Sequence, residues 1–160
     1  MYLAGLRIAE VCDLRPGDLF LDGEFPHLRV RHGKGDRARN VPVGPTLRRR
    51  LVGWAQLRRR DSEWFFHTGK GGRVHETYVR QFIKRLIDRV PDDLGVPYHV
   101  SPHTFRHCHA VEALERGHTL REVQALLGHR SVQSTVVYLD ARARAMARGD
   151  GNHDPDSGDA

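Results

Sequence analysis

Apolar residues recur at helical spacing along most of the chain and alternate with polar ones in a single short region. In "GLRIAEVCDL", Leu6, Ile8, Val11, Cys12 and Leu14 follow a roughly helical pattern, which "RPGD" terminates. In "HLRVRHGKGDRARNVPV", Leu28 and Val30 alternate with charged residues, "GKGD" supplies turn chemistry, and Val41 and Val43 alternate again. That stretch predicts a β-hairpin with Lys34 at its tip. Leu47, Leu51, Trp54 and Ala55 then mark one face of a helix. The Gly-rich stretch "FFHTGKGGRVHET" leads into the most regular stripe of the chain: Val79, Phe82, Ile83, Leu86, Ile87 and Val90.

The remaining helices are announced by their ends. "SPHTFRHCHAVEALERG" opens with Ser101 as N-cap and Pro102 at the first helical position, and closes at Gly117. "TLREVQALLG" carries a Thr119/Glu122 capping box and a Gly128 stop. A further helix is expected from Ser131, and residues 148–160 read as a disordered polar tail. The pattern is mainly α, with a small antiparallel β element near the N-terminus.

Length and composition change this picture little. The chain of 160 residues is one domain by length, with 39% hydrophobic and 29% charged residues. It shows neither a membrane-spanning apolar run nor a signal pattern, so a cytoplasmic protein without membrane contact is expected. Cys12 and Cys108 sit in apolar helical patterns and read as reduced core thiols. The charge says more. A net +6 and a pI near 9.9 favour an anionic partner, most commonly nucleic acid. Nearly all the basic residues are arginines. That suits phosphate contacts, although GC-rich codons produce the same bias.

Candidate chemistry concentrates in a few places. His103 and Arg106 share a face near a helix N-terminus, where free N–H groups already attract anions; a solvated polar first turn is the alternative. His103 and His107 have zinc-compatible spacing. No HExxH glutamate accompanies them, however, and Arg106 would adjoin the cation, so no metal is expected. "TGKGGR" and "HGKGDR" do not fit a P-loop. Arg73, Arg80 and Lys84 read equally as DNA-backbone contacts or as a solvated surface.

In chain order these boxes resemble the catalytic domain of the tyrosine recombinase (phage integrase) family. The carrying residues are "GLRIAEVCDL" with its arginine, "GKGDRARNVPV" with its lysine, "HTFRH", and "LLGHRSVQSTVVY" with its histidine and tyrosine. The resemblance covers residues 3–147 and implies a fold like that of type IB topoisomerases. It also implies a reaction: cleavage and rejoining of double-stranded DNA through a 3′-phosphotyrosine, without metal, ATP or other cofactor. Tyr138 would be the nucleophile and Arg7 and Arg106 would bind the phosphate. His103 would take the phenolic proton, Lys34 would protonate the leaving 5′-oxygen, and His129 would bond a phosphate oxygen. Glu10 would orient Arg7, and His107 would support the site from behind. Tyr2, Tyr78 and Tyr98 lack the Gly-His partner at the right distance.

Full-length members carry an additional DNA-gripping domain and another helix ahead of this region. The resemblance therefore implies a catalytic domain spanning residues 1–147 without them. Weak stand-alone activity follows, with apolar surface exposed near Leu3, Ile8 and Val11. Family members act as tetramers on DNA, and "ARARAMARG" is a candidate for exchange between neighbours. The competing reading is a non-catalytic DNA-binding remnant or a competitor of a full-length recombinase.

Overall fold

The computed structural model describes residues 1–31, 38–91 and 100–128. The sequence expectations for the segment from Ser131 and for the tail lie outside them, as do those for Lys34, Tyr98, His129 and Tyr138. Two 3-10 turns, Tyr2–Ala4 and Pro16–Asp18, flank the short helix α1 (Ile8–Cys12). Strands β1 (Leu19–Phe20), β2 (His27–Val30) and β3 (Arg39–Pro42) form an antiparallel sheet in that order. Helices α2 (Pro45–Leu57), α3 (Glu76–Ile87), α4 (Pro102–Glu115) and α5 (Leu120–Leu127) complete the described chain. None of the described helices is long and apolar enough to cross a membrane.

The hairpin falls where alternation places it, with Leu28 opposite Val41 and Val30 opposite Arg39. The third strand, β1, has only two residues, too few to show a period. The first helix is shorter than its apolar spacing suggests. Gly5 takes a left-handed conformation (φ 58°) and Arg7 is extended, so helical geometry begins at Ile8. The caps of α4 and α5 form as expected. The Ser101 hydroxyl accepts from the Thr104 N–H, Thr119 and Glu122 cap each other, and Gly128 closes α5 at φ 64°.

Two apolar clusters hold the described chain together. The larger comprises Ala4, Leu6, Leu14, Leu21, Leu28, Val30, Val41, Val43, Leu51 and Phe65; it joins the sheet to the N-terminal segment and α2. The smaller joins α4 and α5 through Ala110, Ala113, Val123 and Leu127. On α4 the buried stripe is Arg106, Ala110 and Ala113, at i, i+4 and i+7. Cys108 lies two residues past Arg106 and so faces the other way. It is exposed, contrary to its expected core placement, while Cys12 is buried. Phe105, Val111 and Leu114 are only half-buried.

The regular stripe of α3 is buried only at Ile83. Phe82 and Leu86 are exposed, as is Tyr78. Leu3, Ile8 and Val11, where exposed apolar surface was expected, are half-buried. Helix α1 packs against α3, and the Tyr2–Ala4 turn packs against α4.

Gly5 is fixed by both conformation and space. A Cβ there would lie 2.6 Å from His109 Cδ2 and 2.7 Å from Leu127 Cδ2. Gly5→Ala is therefore predicted to cost about 1–2 kcal/mol from the left-handed backbone, with about 1–3 kcal/mol more from overpacking. Thermal melts should show the loss, and a wild-type melting temperature would contradict the close approach.

Candidate active site

The carboxylate of Glu10 organises the surface between the two apolar clusters. It caps α1 by accepting from the Arg7 backbone N–H at 2.8 Å, and Oε1 accepts from Arg7 Nη1, also at 2.8 Å. Arg39, reaching in from β3, places Nη1 and Nη2 at 2.8 and 2.9 Å from Oε1 and Oε2, a bidentate fork. Arg106 Nη1, from α4, stands 3.9 Å from Oε2. Glu10 and Arg106 side chains are each only 3% exposed. Burial pushes the Glu10 carboxyl upward, but the hydrogen bonds and charges of Arg39 and Arg7 outweigh it and hold the group below its ordinary range. Three guanidiniums and one carboxylate give the four side chains a net charge of +2, which favours an anion beside them.

The same three arginines meet the carboxyl end of α5. The last carbonyls of a helix lack intrahelical partners and carry the negative end of its dipole. Arg39 Nε donates to the Leu126 carbonyl at 3.1 Å and Arg7 Nη2 to the Gly128 carbonyl at 3.0 Å. Arg106 Nη2 donates to the Leu127 carbonyl between them, and its Nη1 donates to the Gly5 carbonyl. Three successive carbonyls are thus held by arginines from three separate segments. Gly128 suits this junction because a Cβ there would come within 3.2 Å of the Arg39 side chain.

Beside this network opens a cleft of about 380 Å³ whose walls include Arg7, His103, Arg106, Glu76 and Arg80. The structure therefore brings Arg7, His103 and Arg106 together around one concavity, with Glu10 alongside. His103 is exposed at the first turn of α4, and Arg106 is buried one turn further on. His107 is half-buried, and burial lowers its pKa.

The weaker candidates separate. Arg80 lines the cleft and pairs with Glu76 at 2.7 Å. Arg73 does not line it; it binds Asp13 at 2.5 Å and lies over the Trp64 ring. Lys84 forms an exposed i, i+4 pair with Asp88 at 2.9 Å, as on an ordinary solvated face. Among the described residues no group of three or more His, Cys, Asp or Glu side chains is arranged to hold a metal ion. Lys34, His129 and Tyr138 lie outside the described residues.

Sequence reasoning missed Arg39, though a signal was present. Strand alternation places Arg39 on the same side as the buried Val41 and Val43. A charged residue at such a position needs a buried counter-charge.

Residues 1–144 match the model described as the phage integrase family. Tyrosine recombinase XerC of Corynebacterium glutamicum is 37% identical over 141 residues, covering 86% of this chain and 43% of the relative. Tyrosine recombinase XerA of Pyrococcus furiosus is 31% identical over 146 residues, covering 91% and 49%. The crystal structure of XerA recombinase superimposes with a TM-score of 0.76 at 27% identity, over 96% of this chain and 56% of that one. The chain thus spans about half the length of the curated relatives it matches.

The Glu10 network carries a pH signature. A carboxyl held below its ordinary value of about 4.5 contributes stability that is fully present above that pH and is lost as pH falls through the depressed value. Glu10→Gln should lower stability near neutral pH by about 3 kcal/mol or more, because three guanidiniums lose their counter-charge. Its deficit relative to wild type should then shrink below about pH 4.5. Denaturant titrations across pH measure this, and a pH-independent deficit would contradict the assignment.

Proposed function

The chain belongs to the phage integrase family, and on that premise we propose that it cleaves and rejoins DNA strands through a 3′-phosphotyrosine. The observation that best supports this reading is the cleft flanked by Arg7, His103 and Arg106, with Glu10 and Arg39 behind it. A scissile phosphate there meets preorganised positive charge before any bond breaks.

Tyr138 is the nucleophile. Its phenol has an ordinary pKa of about 10 and attacks poorly until a base takes the proton. His103 takes that proton as the Tyr138 oxygen bonds to phosphorus. The bond to the 5′-oxygen breaks with its electron pair on oxygen, and Lys34 supplies the proton that makes this a 5′-hydroxyl. Arg7 and Arg106 neutralise charge on the non-bridging oxygens, and His129 bonds one of them. Religation runs backwards: a 5′-hydroxyl attacks and the tyrosine leaves. The phosphotyrosine conserves the phosphodiester energy, so no energy carrier is consumed.

Double-stranded DNA is the partner, with further recombinase subunits completing an assembly on it. One solved relative is XerH recombinase bound to a palindromic difH substrate, in a post-cleavage complex; its TM-score to this chain is 0.71 at 25% identity, over 86% of this chain and 38% of that one. The basic surface supports DNA contact, and binding is expected to weaken steeply with salt as phosphate counterions are released.

The decisive substrate is a nicked duplex from which the short fragment bearing the new 5′-hydroxyl diffuses away after cleavage. Wild type should leave a denaturation-resistant protein–DNA band, and Tyr138→Phe should leave none. Binding without a Tyr138-dependent band would make the chain a non-catalytic DNA-binding module. On a substrate with a better leaving group than a 5′-alkoxide, Lys34→Ala should lose far less activity than on ordinary DNA. Equal loss on both would remove Lys34 from the acid role.

A further inference from the structure

We infer that Arg39 is a positioning residue of the strand-transfer site, holding Arg7 in place through Glu10 and tying β3 to the carboxyl end of α5. This rests on the reading of the chain as a strand transferase. The side chain bridges three segments from β3: two bonds go to Glu10 in α1 and one to the Leu126 carbonyl in α5. It is only 12% exposed. It therefore acts from behind the cleft, whose lining includes Arg7 and Arg106.

The geometry divides Glu10 between two arginines. Oε1 accepts from both Arg7 Nη1 and Arg39 Nη1, and Oε2 from the Arg7 backbone and Arg39 Nη2. Arg39 fixes the carboxylate plane, and that plane fixes the direction of the Arg7 guanidinium. Without the fork, Glu10 is free to rotate toward Arg7 and draw its charge away from a phosphate. The Leu126 bond anchors the same guanidinium to the last turn of α5. Lysine cannot replace these contacts: one ammonium cannot span both carboxylate oxygens and a carbonyl.

The test is single-turnover cleavage by the full chain on the nicked duplex, with DNA affinity and thermal melting measured in parallel. Arg39→Lys, which keeps the charge, is the first variant and Arg39→Gln the second. Two substrates are compared: an ordinary scissile phosphodiester, and a methylphosphonate in which an uncharged methyl replaces one anionic oxygen. A misdirected Arg7 matters for the charged phosphate and much less for the neutral one. The expected result is near wild-type DNA affinity, with cleavage of the phosphodiester slower by on the order of 10²-fold and a clearly smaller loss on the methylphosphonate. Wild-type cleavage, or equal loss on both substrates, would overturn the inference. So would variants that both unfold, since Arg39 would then be a structural strut. Absence of any adduct with wild type would instead reject the strand-transfer reading itself, a distinguishable outcome.

Discussion

A single carboxylate surrounded by guanidiniums sets the constraint on which the rest of the described chain depends. Taking Glu10 out of water is costly, and isolated it would favour the neutral acid. Arg39 and Arg7, both bonded to it, reverse that preference, and Arg106 stands 3.9 Å away. The arginines gain from the same arrangement, because each is oriented by an acceptor that cannot move far. The two apolar clusters supply area but little direction. Directed bonds across the space between them set how the sheet, α1, α4 and α5 sit together.

Those bonds draw on an element that helices supply without cost in sequence. The unpaired carbonyls at the end of α5 need donors, and Leu126, Leu127 and Gly128 each receive one from an arginine. Small residues make the approach possible. Ala110 and Ala113 continue the buried stripe begun by Arg106, Gly128 leaves room for the Arg39 side chain, and Gly5 leaves room for His109 and Leu127. The cluster's excess positive charge is thus produced by packing rather than by a flexible basic surface. That distinguishes it from Lys84, whose partner is one exposed aspartate.

Much of this was legible in the sequence because it was local. Ser101, Thr119 and Gly128 announce helix ends through bonds to their own neighbours, and the alternation around Leu28 and Val41 sets the hairpin register. The family boxes group Arg7, His103 and Arg106, and these three side chains line one cleft. What the sequence concealed depends on distant partners. The apolar stripe of α3 is wider than the contact that covers it, so Phe82 and Leu86 stand outside. Cys108 looked apolar by neighbourhood but lies opposite the buried face of its helix. Arg39 resembled another basic residue until its place on the Val41 side of the strand was weighed against burial.

The triple cap on α5 has a consequence for how this region can diverge. Replacing any one of Arg7, Arg39 or Arg106 strands a carbonyl at the helix end and also unbalances the shared carboxylate. Substitutions there are coupled rather than independent, and a tolerated change requires compensation on a segment remote in the chain. Lineages drifting away from this arrangement would have to cross a valley in which stability and anion recognition decline together.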